Sequence, residues 1–400
     1  MSRTLVDSGI DWIGKIPENW SVQPLGLYLK ERNEKVSDID YEPLSVTKNG
    51  IVPQLENAAK SDAHDARKRV CKNDFVINSR SDRKQSCGLS NLDGSVSLIN
   101  TVLQINEYVP NYVKYMLDNI MFAEEFYRNG HGIVADLWTT KYSEMKNIYI
   151  PEPSKEEQTK IADYLDKKCS KIDKVIEDNN KEIKLLEEYK KIIFKNVISN
   201  YKTTIVKLKY LVSKKLQYGA NSSGIPYKDD LPRYVRITDI EDNKLKKNDK
   251  LSLSEENAKG FILNNGDILF ARSGGTVGKS FIYKNEYGKC AFAGYLIRAQ
   301  FDNISLAQYI YNYTNSALYE DWKNAIFIQS TIQNIGADKY SIMPVPIPND
   351  IKQIDIINKQ IDNSINKIDK VIKYRKQIIE KLEEYKKSLI YEVVTGKKEV

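Results

Sequence analysis

The chain repeats itself at a distance of 196 residues. Two hexapeptides occur twice in one register: Lys-Ile-Asp-Lys-Val-Ile in residues 171–176 and 367–372, and Leu-Glu-Glu-Tyr-Lys-Lys in residues 186–191 and 382–387. Three apolar positions match at the same distance: Ile161 with Ile357, Ile183 with Ile379, and Val197 with Val393. This shared ungapped register indicates a duplicated structural element, so we expect a fold with two related halves.

Both copies of the repeat are predicted to be long helices. The first follows Pro151-Glu152-Pro153, opens with Ser154 as a capping residue, and contains no proline or glycine until well past Asn200. The second runs to Gly396, a residue type that commonly ends helices. We therefore divide the chain into a globular domain at 1–153, a helix at 154–200, a second globular domain at 201–349 and a second helix at 350–400.

The two predicted helices carry a heptad pattern that is typical of a coiled coil. Apolar residues recur with a period near 3.5 and form the predicted seam: Leu165, Ile172, Ile176, Ile183, Leu186, Ile193, Ile361, Ile368, Ile372, Ile379, Leu382 and Leu389. The seam is interrupted at equivalent places, by Asn179 or Arg375 and by Lys190 or Lys386. These polar residues either fix the register of the pair or extend into solvent from a frayed seam, and both interpretations stay open.

The segments outside the helices predict an α+β fold. Short strands rich in β-branched and aromatic residues alternate with Gly, Asn and Asp turns, and a helix is expected late in each half, around 110–128 and 305–324. Residues 73–80 resemble residues 266–273, and each is a short apolar strand followed by an arginine and a polar turn. The predicted architecture is two globular domains separated by two long helices that pack as an antiparallel coiled coil with pseudo-twofold symmetry.

Composition permits a polyanionic partner and excludes few classes of function. The net charge is +7, from 61 Lys and Arg against 54 Asp and Glu. No run of eighteen apolar residues suggests a membrane span, and the N-terminus does not resemble a signal peptide. The four cysteines are scattered, so we expect reduced thiols in a cytoplasmic protein rather than a zinc site. The only histidines, His64 and His131, lie in no recognisable catalytic motif.

Several motifs together resemble the specificity subunit of type I restriction–modification systems. They are the opening Asp-Trp-Ile-Gly-Lys-Ile-Pro-Glu-Asn-Trp of residues 11–20, the glycine-rich strand-turn of residues 266–279, the Ile-Pro pairs before each helix, and residues 382–396. The likeness covers essentially the whole chain. The first domain departs from the pattern, because residues 79–88 lack the glycine-rich turn of the second domain.

The resemblance implies a non-catalytic DNA-specificity subunit. In that family each target-recognition domain reads one half of a split, asymmetric site on double-stranded DNA. The helical regions separate the domains and dock two methyltransferase (modification) subunits, and restriction/translocase subunits join for cleavage. S-adenosylmethionine, ATP and Mg²⁺ are then expected on the partner subunits, with no cofactor and no metal in this chain.

Basic and polar residues near the strand ends are the candidate DNA contacts. Arginine suits the guanine edge, hydroxyl and amide side chains suit base edges generally, and glycine lets backbone N–H groups approach phosphate. In the first half the candidates are Arg67, Lys68, Arg69, Arg80, Arg83, Lys84, Thr139, Thr140 and Lys141. In the second half they are Arg236, Arg272, Ser273, Thr276, Lys279, Gln329, Thr331 and Asn334.

Three alternatives stay open at this stage. Residues 273–280 come close to the nucleotide-binding pattern G-x-x-x-x-G-K-[ST], except that Ser273 replaces the first glycine. The same residues also fit a turn with a purely structural role. Finally, the coiled coil would suit a protein-interaction scaffold whose domains never touch DNA.

Overall fold

The computed structural model describes residues 3–56, 66–132, 138–241, 243–328 and 334–400. Its contacts group the chain into two compact units: unit 1 comprises Met1–Asn179 with Gln377–Val400, and unit 2 comprises Asn180–Lys376. Each unit mixes helices and sheets, as an α+β fold requires. The division made from the sequence sets the long helices apart, whereas each compact unit includes part of both, because the helices share their cores with the globular residues.

Unit 1 contains antiparallel sheets and short helices that precede a long one. Its strands are β1 (Leu5–Asp7), β2 (Lys15–Pro17), β3 (Ser21–Pro24), β4 (Leu29–Glu31), β5 (Lys35–Val36), β6 (Leu44–Thr47), β7 (Gly50–Pro53), β8 (Arg67–Val70), β9 (Phe75–Asn78), β10 (Cys87–Leu89), β11 (Gly94–Ser97), β12 (Asn100–Ile105) and β13 (Tyr149–Glu152). Its helices are α1 (Pro110–Leu117), α2 (Ile120–Arg128), α3 (Tyr142–Met145) and the first part of α4 (Lys155–Ile198).

Unit 2 follows a similar order of elements. Its strands are β14 (Thr203–Lys207), β15 (Gln217–Tyr218), β16 (Ile225–Pro226), β17 (Arg233–Val235), β18 (Ile240–Glu241), β19 (Lys244–Leu245), β20 (Leu251–Ser252), β21 (Ile268–Ala271), β22 (Ser280–Ile282), β23 (Cys290–Phe292), β24 (Leu296–Ala299) and β25 (Pro344–Pro348). Its helices are α5 (Glu255–Ala258), α6 (Ile304–Thr314), α7 (Ala317–Ile328), α8 (Ala337–Ser341) and the first part of α9 (Ile354–Val394).

A four-stranded antiparallel sheet has the same strand order in both units. The order is β10-β9-β12-β4 in unit 1 and β22-β21-β24-β15 in unit 2. Strands β9 and β21 both follow an aspartate: Asp74 accepts a hydrogen bond from Cys71 N at 2.8 Å, and Asp267 accepts one from Asn264 N at 3.0 Å. The matched segments 73–80 and 266–273 are therefore structurally equivalent.

The residue before each of these aspartates has left-handed backbone geometry. The φ angle is 71° at Asn73 and 88° at Gly266. Glycine and asparagine are the residue types that adopt this region at least cost, which explains why the two repeats differ in side chain yet agree in backbone at this turn.

The two predicted long helices are α4 and α9, and their ends have the expected caps. Ser154 Oγ accepts a hydrogen bond from Glu157 N at 3.3 Å, and α9 ends two residues before Gly396, whose φ is 70°. Most predicted seam residues are buried, namely Leu165, Ile172, Ile193, Ile361, Ile368, Ile372 and Leu389. The others, Ile176, Ile183, Leu186, Ile379 and Leu382, are half-buried.

One sequence-based expectation about the globular parts needs correction. The single helices expected around 110–128 and 305–324 are each two helices, α1 with α2 and α6 with α7. Asn119 Oδ1 accepts from Phe122 N at 2.9 Å, and Ser316 Oγ accepts from Tyr319 N at 3.4 Å. These side chains satisfy first-turn N–H groups and so start a new helix in the middle of a continuous apolar pattern.

Candidate nucleic-acid interface

The glycine-rich turn of unit 2 connects β21 to β22. Gly274 and Gly278 adopt φ angles of 81° and 83°, and Ala271 N donates to Lys279 O at 2.8 Å across the turn. A Cβ atom at Gly278 would lie 2.3 Å from the Lys323 side chain. The positive φ angles favour glycine at both positions. The side chains of Ser273 and Thr276 are half-buried at the surface of the turn.

Two cations of this turn are available at the surface. The Arg272 guanidinium lies 5.1 Å from the centroid of the Tyr218 ring, a cation–π geometry. Lys279 is exposed. Among the described residues, neither Arg272 nor Lys279 forms an ion pair with a carboxylate. Their charge is therefore free to meet an anion such as a phosphate.

A returning segment pairs with the end of β21. Ser273 and Asn334 form an antiparallel bridge, and Ile335 N donates to Arg272 O at 3.0 Å. The structure therefore brings Asn334 to the same edge as Arg272 and Ser273. Gln329 and Thr331 lie outside the described residues.

The corresponding turn of unit 1 has the same backbone pairing but different side chains. Arg80 and Thr139 form an antiparallel β-bridge, and Thr140 N donates to Ser79 O at 3.0 Å. Asp82 lies 3.0 Å from Arg80 and 3.8 Å from Arg83, so the acidic residue partly neutralises this turn. Arg83 is still 68% exposed.

Three candidates of the first half are committed to internal hydrogen bonds. Arg67 Nε donates to Ser95 Oγ at 2.8 Å, and burial lowers the pKa of Arg67. Lys68 Nζ donates to Glu31 Oε1 at 2.8 Å, and Lys68 is only 9% exposed. Thr140 Oγ1 donates to Phe126 O at 2.9 Å. The interpretation of these residues as DNA contacts is corrected, because all three are buried and their polar groups are already hydrogen-bonded within unit 1.

Three other cations are held by carboxylates near the surface. Arg69 Nη1 donates to Glu34 at 2.9 Å and Lys84 Nζ donates to Glu124 at 3.0 Å. Arg236 donates to Asp239 Oδ1 at 2.7 Å, and this hydrogen bond raises the pKa of Arg236. Each pair reduces the net charge that the arginine or lysine offers to a polyanion. The partners of Arg69 and Lys84 lie 35 and 40 residues away in the chain, so the sequence pattern does not indicate these two pairs.

A pocket of about 580 Å³ opens beside the unit 1 turn. It brings together Ser79 at the end of β9 with two predicted contacts, Thr139 and Lys141. Leu98 and Ile99 also line it, and sequence analysis did not single them out because two apolar residues in a short turn resemble strand-edge core residues. Hydroxyl, cationic and aliphatic groups thus meet at one surface of unit 1.

Two exposed tyrosines of unit 2 were also not singled out by the sequence. Tyr218 stacks below Arg272, and Tyr295 O accepts a hydrogen bond from Arg272 N at 3.0 Å. Tyr218 is 41% exposed and Tyr295 is 66% exposed. The repeat distance of 196 residues would have pointed to Tyr295, because it lies 196 positions after Ile99.

The structure disfavours the nucleotide-binding alternative for residues 273–280. A P-loop is followed by a helix whose N-terminal N–H groups bind phosphate, whereas this turn leads into strand β22. Across the described ranges there is no group of three or more His, Cys, Asp or Glu residues placed to hold a metal ion, and the four cysteines are free. In the same ranges no helix combines the length and apolar character needed to cross a membrane.

Comparisons with known proteins identify the fold. No family model matches the sequence, and no curated protein matches it significantly. One solved structure concerns complex assembly and conformational transition of the type I R-M system. A chain of that structure matches with a TM-score of 0.72 at 12% identity, and the match covers 95% of this chain and 98% of that one. The HsdS subunit from Thermoanaerobacter tengcongensis matches with a TM-score of 0.50 at 14% identity, covering 95% and 98%. The chain therefore has the fold of the specificity subunit of type I restriction–modification systems, as its motifs indicate.

Proposed function

We propose that this chain is the DNA-specificity subunit of a type I restriction–modification complex and reads a split, asymmetric DNA site. The observation that carries the proposal is the duplicated turn. Ser79 directly follows β9 and Arg272 directly follows β21. In each unit the carbonyl oxygen of this residue accepts a hydrogen bond from a backbone N–H of the returning segment, at 3.0 Å in both cases. The frame is shared while the side chains differ, which suits two related readers of two different half-sites.

The proposed DNA contacts are the candidate residues that remain accessible in each unit. In unit 1 they are Arg80, Arg83, Thr139 and Lys141, and in unit 2 they are Arg272, Ser273, Thr276, Lys279 and Asn334. Cations at such turns bind phosphate and set the position of the protein on the duplex, while hydroxyl and amide groups read base edges. Because Arg272 and Lys279 have no carboxylate partner among the described residues, they are the strongest candidates for binding the DNA phosphates.

We further propose that α4 and α9 pack as an antiparallel coiled coil and act as a spacer between the readers. Early residues of α4 share a core with late residues of α9 in unit 1, and late residues of α4 share a core with early residues of α9 in unit 2. This pattern supports the proposal because antiparallel partners meet in that reversed order. Pseudo-twofold packing would present two related surfaces to one duplex, as a homodimer does.

The helices also carry exposed apolar residues that suit docking of methyltransferase subunits. Unit 1 exposes Val175 at 45% and Tyr385 at 50%, and unit 2 exposes Val371 at 42% and Tyr189 at 49%. The valines are 196 residues apart, and so are the tyrosines. Each unit thus exposes an equivalent valine and tyrosine on its helices, and we propose that each such pair forms a docking patch, giving two docking sites. We propose that catalysis, with its S-adenosylmethionine, ATP and Mg²⁺, resides in the partner subunits.

The test of DNA reading uses the chain co-expressed with its methyltransferase subunit. Methylated adenines are mapped in host DNA with and without this gene, and with an Arg272→Ala/Lys279→Ala variant. A split methylation motif that requires the gene, and that weakens in the variant, supports the proposal. If deletion of the gene leaves the methylation pattern unchanged, and the purified chain nevertheless binds the methyltransferase subunit, the interaction scaffold is favoured instead.

A matched test addresses docking. Tyr189→Glu and Tyr385→Glu are each expected to reduce the bound methyltransferase from two copies to one, measured by native mass spectrometry. Tyr210→Glu is the control, since Tyr210 is 71% exposed but lies outside the long helices. Two bound copies in both test variants would contradict the proposed patches.

A further inference from the structure

An exposed apolar side chain occupies the same place beside the strand-end turn in both units. Ile99 precedes β12 and Tyr295 precedes β24, and these positions are 196 residues apart. Ile99 O accepts from Ser79 N at 3.3 Å, and Tyr295 O accepts from Arg272 N at 3.0 Å. Since Ser79 and Arg272 are themselves equivalent, the backbone places Ile99 and Tyr295 at equivalent sites.

These side chains face solvent at the candidate interface. Leu98 and Ile99 are 44% and 37% exposed, and Tyr295 is 66% exposed. Single exposed apolar residues are common on proteins and need no explanation by themselves. Here the exposure recurs at one position of a duplicated frame, and it occurs each time beside the residues that we propose to touch DNA. That recurrence indicates a common ligand.

The surroundings of these residues describe the chemistry of the ligand. In unit 1, Leu98 and Ile99 share their pocket with Thr139 and Lys141. In unit 2, the backbone of Tyr295 is joined to Arg272. A ligand for such a surface must offer anionic groups, polar edges and one apolar group at close range. The major groove of DNA has that combination, because the C5-methyl group of thymine is the apolar feature among its hydrogen-bonding edges.

We propose that Leu98 and Ile99 in unit 1, and Tyr295 in unit 2, contact thymine methyl groups in the two DNA half-sites. The inference rests on the proposed DNA-reading function and adds specificity-determining residues to it. Branched aliphatic side chains in one unit and a phenol ring in the other have different shapes. The same position in the two units therefore selects different base sequences, so the two half-sites differ.

The experiment selects bound sequences from a pool of random duplex DNA, with the full chain assembled with its methyltransferase partner. The variants are Leu98→Ser/Ile99→Ser and Tyr295→Ser. Each is expected to lower the preference for thymine about fivefold or more at positions of one half-site, and to leave the other half-site unchanged. Tyr295→Phe is expected to retain the preference, because it keeps the ring.

Matched controls come from exposed apolar residues that lie away from the turns after β9 and β21. Leu27 is 55% exposed and Tyr210 is 71% exposed, and they lie in the corresponding 3-10 helices Leu25–Leu27 and Leu208–Tyr210. Leu27→Ser and Tyr210→Ser are expected to leave the selected sequences unchanged. A loss of preference in these controls equal to that in the test variants would overturn the inference.

A second measurement needs no variant and so does not depend on folding of a substituted chain. Uracil replaces each thymine of the selected site in turn, which removes only the C5-methyl group. The unsubstituted chain is expected to bind about fivefold more weakly when the critical thymines are replaced.

The outcomes separate the two proposals. If the unsubstituted chain selects no sequence, the proposed function fails. If it selects a split site but neither uracil nor the serine variants alter base preference, the function stands and the inference is wrong. Weaker binding of the serine variants to all sequences equally would place these residues against the DNA backbone and would also overturn it.

Discussion

The ammonium nitrogen of Lys190 lies 2.7 Å from a carboxylate oxygen of Asp369. The residues 196 positions away from these, Lys386 and Asp173, form the equivalent ion pair at 2.6 Å. Helix α4 thus supplies the lysine of one pair and the aspartate of the other. In a self-complementary interface each contact occurs twice, with the two residues on opposite partners the second time, and these two ion pairs follow that pattern. Each seam lysine therefore forms an ion pair with an aspartate of the other long helix.

The Lys190–Asp369 pair is expected to couple the two helices measurably. A double-mutant cycle with Lys190→Ala and Asp369→Ala should give a coupling free energy of about 0.3–1 kcal/mol in urea unfolding, because both groups are partly exposed. The control cycle uses Lys289 and Glu255, a pair at 3.2 Å that is more exposed, at 53% and 70%. A Lys190–Asp369 coupling no larger than that of the control would contradict a role in helix pairing.

Asp118 is expected to make the stability of the protein depend on pH. Burial raises the pKa of its carboxyl group to about 6, although Cys87 Sγ, at 3.3 Å, donates a hydrogen bond that acts in the opposite direction. The unfolded value is about 3.9. The folded state therefore binds the proton more tightly, and the free energy of unfolding should fall as pH rises from about 4 to about 6.

The Asp118→Asn variant tests this dependence. We expect it to flatten the pH profile of thermal unfolding between about pH 4 and about pH 6, the pKa values of the unfolded and folded states. At about pH 8 it should raise the free energy of unfolding by about 1–2 kcal/mol. Asp40→Asn, at an exposed carboxylate, is the control and should leave the profile unchanged. A profile that survives unaltered in Asp118→Asn would show that another group is responsible.

A side chain at Gly396 is expected to destabilise the protein more than one at Gly9. Its φ is 70°, and a Cβ atom there would lie 2.5 Å from Pro17. Gly9 has a φ of 69° but nothing within 4 Å of such an atom. Gly9→Ala should therefore cost about 1 kcal/mol of backbone strain, whereas Gly396→Ala should cost about 2–3 kcal/mol because overpacking is added. Equal losses of melting temperature in the two variants would mean that Pro17 yields without cost.

Arg272 and Lys279 are expected to supply phosphate contacts. In the Arg272→Ala/Lys279→Ala variant, the slope of log affinity against log salt concentration should decrease by about 2, since each phosphate contact contributes about 0.9. Lys289→Ala is the control, because Lys289 is already paired with Glu255. Fluorescence anisotropy with duplex DNA over a salt series measures both. An unchanged slope in the double variant would remove these residues from the interface.

The limits of sequence reasoning are clearest among the predicted DNA contacts. Arg67 and Lys68 form part of the densest basic stretch in the sequence. Both are nevertheless buried in unit 1, where Arg67 donates a hydrogen bond to Ser95 and Lys68 donates one to Glu31. Conversely, Ile99 and Tyr295 lie in turns that the sequence reads as ordinary strand edges. Composition and spacing do not report which face of a short strand is covered, because long-range sheet pairing decides it.

The sequence by itself determined the duplicated helices, their caps, the apolar seam and the equivalence of the two strand-turn segments. Those features depend on local periodicity, on capping chemistry and on a repeat that is legible without contacts. Only the tertiary structure decided which cations are neutralised, which polar seam residues pair, and which turn residues reach the surface. These depend on residues far apart in the chain, such as Lys386 and Asp173, whose proximity arises only when the helices pack.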